Sequence, residues 1–202
     1  MYALLPQEFY ARDALHVARE LIGRWLVHGP VTLRITETEA YRWPMDTANH
    51  CRAGRTARNA PMWGPPGHGY VYLCYGIHQM LNIVTNVEGE GAAVLIRAAE
   101  PVQGMELVMQ RRGGRTGAQL LAGPGRVGQA LAVDGRFSHH AVYEEGGLEI
   151  RSAPASTSLL AGPRVGIGYA DPRDIEAPWR FADADSPYVS HRRTLYPCGK
   201  TG

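Results

Sequence analysis

Glu37, Glu39, Tyr41, Asp46 and His50 lie close together in the chain and carry the types a hydrolytic site needs. Two carboxylates one residue apart, with a histidine soon after, suit two kinds of work. One ionised carboxylate beside a bound water makes a general base. Three or four converging donors would make a metal site, although the helical H-E-x-x-H spacing is missing. A third reading gives the pair no chemistry and makes it an acidic strand end neutralised by arginine. The residue types leave all three open, and they do not choose between Glu37 and Glu39.

A second group, Tyr70, Tyr72, Tyr75 and His78, surrounds a short turn. Tyr70 and Tyr72 share a strand face, with Tyr70 read as core filling. Tyr75 falls at the tip, where an exposed ring suits wedging between bases or stacking on them. A third group is basic: Arg52, Arg55 and Arg58 at spacing three, with Arg111, Arg112, Arg126, Arg192 and Arg193 further on. Any of them could track phosphates.

The elements that position these groups follow from periodicity. Apolar residues at helical spacing from Asp13 to Val27 predict an amphipathic helix capped by Asp13. Leu33 to Tyr41 alternates as a strand, with Leu33, Ile35, Glu37, Glu39 and Tyr41 on one face. Arg42 to His68 reads as a structured surface loop with one helical turn near Asp46 to Cys51. Tyr70–Cys74 and Met80–Thr85 read as strands joined around Tyr75-Gly76-Ile77. Ala93–Ala98 reads as another strand. Pro101 is expected to open a helix to Arg112 that buries Met105, Leu107, Val108 and Met109. A shorter helix spans Gly125–Val133, and Val142–Arg151 reads as a hairpin. Arg164 to Gly168 is a tight, glycine-flanked strand or turn, and Trp179–Ser190 closes the sheet. Pro197 to Gly202 is expected to fray.

The whole chain has 202 residues, 45% of them hydrophobic, with 24 Gly and 14 Pro in the connections. That composition fits one loop-rich mixed α/β domain, 1–202, with an ordered core from about 11 to 190. The net charge of +2 barely argues for nucleic acid. Lys200 is the only lysine, so arginine supplies the other 20 of the 21 basic residues. Arginine is the better fork for phosphate and the better stacker on bases, though a GC-rich coding sequence would favour it too. Cys51, Cys74 and Cys198 are widely spaced and include no C-x-x-C, which argues against a zinc knuckle or a disulfide framework. With no secretory signal and no long apolar run, the expected location is intracellular and away from membranes.

Several of these stretches, in this order, resemble the alkyladenine (3-methyladenine) DNA glycosylases. They are Glu37-Thr38-Glu39-Ala40-Tyr41 with Asp46 and His50, Tyr70-Val71-Tyr72 with Tyr75-Gly76, Asn82-Ile83 and Val94-Leu95-Ile96-Arg97-Ala98. Gly123-Pro124 and Arg164-Val165-Gly166-Ile167-Gly168 fit as well, so the likeness runs from about Ala11 to Ser190. The resemblance implies an α+β single domain with a curved, mainly antiparallel sheet flanked by helices. It implies that Glu39 is the general base, and that Arg97 and the main-chain carbonyl of Val165 help hold the attacking water. Tyr41, His50 and Tyr72 would line a pocket around a flipped base. Tyr75 would intercalate, and Asn82 would exclude guanine. Arg42 and Trp43 stand where smaller or apolar residues are common, which predicts a different pocket rim. The implied partner is double-stranded DNA containing damaged purines, met by a monomer without cofactor or metal. The implied compartment is the bacterial cytoplasm or a eukaryotic nucleus.

Overall fold

The strand that carries both carboxylates is the hub of the structure, a computed structural model that describes residues 2–198. This strand, β2 (Val31–Tyr41), pairs along one edge with β5 (Ala93–Gln103). Its other edge is shared by β1 (Trp25–His28) at the start and β8 (Arg180–Asp183) near the end. β4 (His78–Val84) and β3 (Gly69–Cys74) extend the sheet beyond β5. β7 (Leu159–Gly162) and β9 (Tyr196–Pro197) extend it beyond β8, and β6 (Leu148–Arg151) pairs with β1. All these pairings are antiparallel. With the helices α1 (Gln7–Tyr10), α2 (Ala14–Leu21), α3 (Met105–Arg111), α4 (Pro124–Leu131) and α5 (Pro172–Glu176), they make the expected α+β domain.

Simple alternation fails in the middle of β2, and that failure builds the site. Thr36 and Glu37 together face Ala98, which is a bulge on β2. One step later β5 carries the extra residue, and that residue is Arg97. A bulge shifts the pleat by one residue. Leu33 and Ile35 therefore join the core with Thr38 and Ala40, not with the carboxylates. Thr38 Oγ1 donates to the Ala18 carbonyl of α2 at 2.8 Å, and Ala40 packs in the main core beside Val94, its partner on β5. Glu37, Glu39 and Tyr41 fall on the opposite face. The expectation that Leu33, Ile35, Glu37 and Glu39 share a face is thus corrected: the two carboxylates do not intrude into the apolar layer.

The main core lies between α2, α4 and the sheet. Leu21, Leu26, Leu33, Ile35, Leu81 and Ile96 are fully buried there. Burying each side chain of this size contributes about 1.5–3 kcal/mol. A second, smaller cluster of Cys51, Met62, Tyr70, Val84 and Ala93 sits on the other face, under the loop from Arg42 to His68. That loop is more than a surface feature, since Asp46, Ala48, Asn49, Asn59 and Met62 are all buried. It has turns where a helical turn was expected at Asp46–Cys51, and a short 3-10 helix at Ala60–Trp63.

Other boundaries moved for identifiable reasons. Asp13 does cap α2, accepting from the Leu15 N–H at 2.9 Å. The helix ends at Leu21, however, because Gly23 adopts φ +92° and turns the chain into β1; Trp25, Leu26 and Val27 are strand residues. Pro101 does not open a helix. It lies in β5 beside a third register shift, where a missing N–H is tolerated. The helix α3 starts only after Gly104, at φ +79°, and buries Val108 alone of its expected set, while Met105 is exposed. Val142–Arg151 is not a hairpin, because β6 pairs with β1. Arg164–Gly168 is a loop rather than a strand. The segment Trp179–Ser190 contributes β8 inside the sheet, between β2 and β7, rather than closing it. Tyr196 and Pro197 pair with β7 as a last short strand; the rest of the tail expected to fray, from Gly199 and including Lys200, lies outside the described residues. Among the described residues no helix is long and apolar enough to cross a membrane.

Candidate active site

On the face of the sheet opposite the main core, cross-strand neighbours converge. Tyr70 stands beside Asn82, Asn82 beside Leu95, and Leu95 beside Glu39. These strands and two loops enclose a cavity of about 430 Å³. Its sheet side is made by Tyr72, Asn82, Leu95 and Arg97, and its loop side by His50, Val165, Gly166 and Tyr169. That volume lies within the usual range for small-molecule sites.

Glu39 is fully buried, just behind the residues that line the cavity. Its Oε1 accepts the Val165 N–H at 2.7 Å and lies 3.2 Å from Arg97 Nη1. Its Oε2 accepts from the Tyr41 hydroxyl at 2.9 Å. All three partners line the cavity. A carboxylate offers about four acceptor sites, so one remains, on Oε2. Burial, and after it the Glu39 charge, pushes the Tyr41 phenol well above its ordinary range, so it stays a donor. Burial works against the Arg97 charge, but Glu39 and Glu37 outweigh it and hold the guanidinium above its usual value.

Glu37 is built differently. Its Oε1 accepts from Arg180 Nη1 at 2.8 Å, Ser190 Oγ at 2.9 Å and Arg97 Nε at 3.2 Å, and its Oε2 accepts the Ser190 N–H at 2.7 Å. Arg180 is itself fully buried and also donates to the carbonyls of Pro163 and Ser190. Glu37 therefore ties β2, β5, β8 and the Ser190 segment together, and neither Arg180 nor Ser190 lines the cavity.

Asp46 joins no catalytic group. It forms a bidentate, fully buried pair with Arg164, at 2.6 and 2.8 Å, and accepts the N–H groups of Arg42 and Ala48. Arg164 in turn lies 4.7 Å from the centroid of the Tyr41 ring and 4.9 Å from that of Trp179. Among the described residues no group of three or more His, Cys, Asp or Glu could hold a metal ion.

The aromatic side of the cavity is compact. His50 meets the Tyr72 ring at 4.6 Å, edge-on, and its Nδ1 is 3.1 Å from the Tyr70 hydroxyl. Burial, then the charges of Arg58 and Arg52, lower the His50 pKa below the ordinary histidine value. Asn59 holds the backbone of His50 by donating to its carbonyl at 3.0 Å. The Asn82 side chain is fixed by donating both amide hydrogens, to the carbonyls of Tyr70 and Met80 at 3.1 and 3.2 Å. Tyr70 is at once core, as expected, and cavity wall.

Tyr75 sits at the tip of the β3–β4 hairpin, at the cavity's edge, and is 90% exposed. Tyr75 at φ 51° and Gly76 at φ 72° form a turn closed by the Ile77 N–H on the Cys74 carbonyl. Both central residues need positive φ in this turn type. A tyrosine held there costs about 1–3 kcal/mol of backbone strain.

Arg52, Arg55 and Arg58 are all exposed around the cavity loop. Arg52 covers the Tyr169 ring at 5.2 Å and Arg58 the Tyr72 ring at 5.9 Å. Arg111, Arg112, Arg126 and Arg192 instead bond to nearby backbone carbonyls. Arg42 and Trp43, expected at the rim, do not line the cavity; Arg42 pairs with Asp13, and Trp43 packs edge-on against Trp63 at 4.9 Å. The sequence reading missed Asn59, Arg164 as an anchor, Tyr169 and Ser190. Only Arg164 had a local signal, through its glycine-flanked motif.

Comparison with known proteins agrees with this geometry. Residues 8–187 match the family model of methylpurine-DNA glycosylase. A Nitrosococcus oceani protein named for 3-methyladenine DNA glycosylase is 59% identical over 98% of both chains. DNA-3-methyladenine glycosylase of Arabidopsis thaliana is 53% identical over 96% of this chain and 77% of its own. A Methanocella arvoryzae protein, also named for 3-methyladenine DNA glycosylase, is 44% identical over 94% and 96%. The chain belongs to the methylpurine-DNA glycosylase family.

Proposed function

We propose that this glycosylase acts as a monomer, takes a damaged purine out of duplex DNA into the cavity beside Glu39, and hydrolyses its bond to deoxyribose with water. The observation that carries this reading is Glu39 itself. It is a buried carboxylate oriented by Tyr41, Arg97 and the Val165 N–H, with one acceptor site left.

A purine inside a duplex hides its glycosidic bond, and extruding it costs a few kcal/mol, less for a damaged or mispaired base. Tyr75 fills the gap that the base leaves. The base stacks among Tyr41, His50 and Tyr72, and the Asn82 side chain crowds the exocyclic amine of guanine. Water on the free site of Glu39 Oε2, also held by the Val165 carbonyl, attacks the sugar carbon. The Glu39 charge stabilises the positive charge that develops there. Arg97 sets a positive charge 3.2 Å from Glu39 Oε1. An alkylated purine is already cationic and leaves readily, whereas a neutral one such as hypoxanthine needs a proton as it departs. Arg52 and Arg55 are placed to hold phosphates. The product is an abasic site in an intact strand, the first intermediate of base excision repair.

The experiment is a panel of duplexes, each with one 3-methyladenine, 7-methylguanine, hypoxanthine or ethenoadenine, scored for free base. Release of at least one is expected. Tight binding to all four without release would make the cavity a recognition module only.

A further inference from the structure

We propose that Arg58 sets the balance between positively charged and neutral purines, its guanidinium at the cavity mouth disfavouring a base that carries a fixed charge. This rests on the glycosylase reading above and adds a specificity role to it.

Two guanidiniums line the cavity, those of Arg58 and Arg97. Arg97 lies 3.2 Å from both Glu37 and Glu39, so its charge is compensated. Arg58 pairs with no carboxylate among the described residues. Its guanidinium carbon stands 5.9 Å from the centroid of Tyr72, one of the rings proposed to stack on the base. The charge is felt inside: it helps lower the pKa of His50 and works against the burial that raises that of Tyr70.

Two physical effects then point the same way. An aromatic ring attracts a cation through its quadrupole, and a guanidinium already on Tyr72 uses part of that attraction. The guanidinium also repels a second positive charge directly, at a separation where water and salt screen only in part. Tyr41 is in a similar state, with Arg164 against its ring, but Arg164 is neutralised by Asp46. A neutral purine meets neither penalty. The pocket thus gives up some affinity for alkylated, cationic bases and keeps its affinity for neutral ones.

The test compares kcat/KM on two duplexes, one carrying 7-methylguanine, which is cationic, and one carrying hypoxanthine, which is neutral. Each is measured with wild type, Arg58→Gln and Arg58→Lys. The exposed position makes both variants compatible with folding. The ratio of cationic to neutral release should rise on the order of three- to tenfold in Arg58→Gln. It should stay within about twofold of wild type in Arg58→Lys, which keeps the charge. The gain should shrink as salt is raised. An unchanged ratio in Arg58→Gln, including equal losses on both duplexes as a plain phosphate contact would give, overturns the inference and leaves the glycosylase reading intact. If wild type releases neither base, the comparison uses 3-methyladenine, which is cationic, and ethenoadenine, which is neutral; release of none of the four overturns both readings.

Discussion

Glu37 and Glu39 are the same residue type, two positions apart, on the same face of one strand, yet the structure gives them different partners. The difference comes from partners distant in sequence. Arg180 and Ser190, which do not line the cavity, hold Glu37, whereas all three partners of Glu39 are cavity-lining groups. No local pattern in the sequence could separate them; the family likeness alone favoured Glu39. Their variants should fail in different ways. Glu39→Gln keeps the shape and loses the charge, so base release should fall by about 10²–10⁴, the usual worth of a general base, while lesion binding survives. Glu37→Gln leaves Arg97 and Arg180 short of a buried counter-charge and should cost about 3–5 kcal/mol of stability. Denaturation midpoints measured beside single-turnover release separate the two. A stable, inactive Glu37→Gln with an active Glu39→Gln would reverse the assignment. Asn82 was singled out only through the family likeness, and the fold shows its side-chain amide donating to two strand carbonyls. Asn82→Ala should open space beside the base and raise release of undamaged guanine. No release above wild type would place the purine filter elsewhere.

Among the elements, those defined by strong periodicity were readable and those defined by a single backbone exception were not. Tyr70–Cys74 and its partner strand were evident from alternation around Tyr75-Gly76-Ile77, and α2 from its cap. The bulges at Thr36 and Arg97 left no mark in the residue types, although they turn the carboxylates away from the core. Gly23 and Gly104 overrode good helical patterns by adopting positive φ. The β3–β4 hairpin shows what such an exception achieves: a two-residue turn with both φ values positive lifts Tyr75 clear of its neighbours. Tyr75→Ser removes the ring and leaves the turn. It should therefore reduce capture of the extruded base far more than affinity for undamaged duplex. A fluorescent base analogue beside the lesion reports extrusion directly. Equal extrusion by variant and wild type would leave Tyr75 with no part in it.

At the scale of the whole molecule, the order of motifs was enough for the fold class and the family, because both depend on which elements follow one another. Composition bears on something narrower, the kind of nucleophile. Enzymes that release a base and also nick the strand use an amine to attack the sugar and form a Schiff base. The sequence has one lysine, Lys200, against 20 arginines, and a guanidinium stays protonated and is not nucleophilic. Among the described residues, the polar side chains lining the cavity are those of Tyr, His, Asn, Arg and Cys, none of them an amine. The expected product is an unbroken strand with an abasic site. Borohydride added during turnover should trap no protein–DNA adduct, and strand breaks should appear only after alkali or an abasic-site nuclease. An adduct that vanished in Lys200→Ala would bring the tail lysine into the chemistry. An adduct that survived it would mean that another amine attacks the sugar and that Glu39-activated water is not the nucleophile.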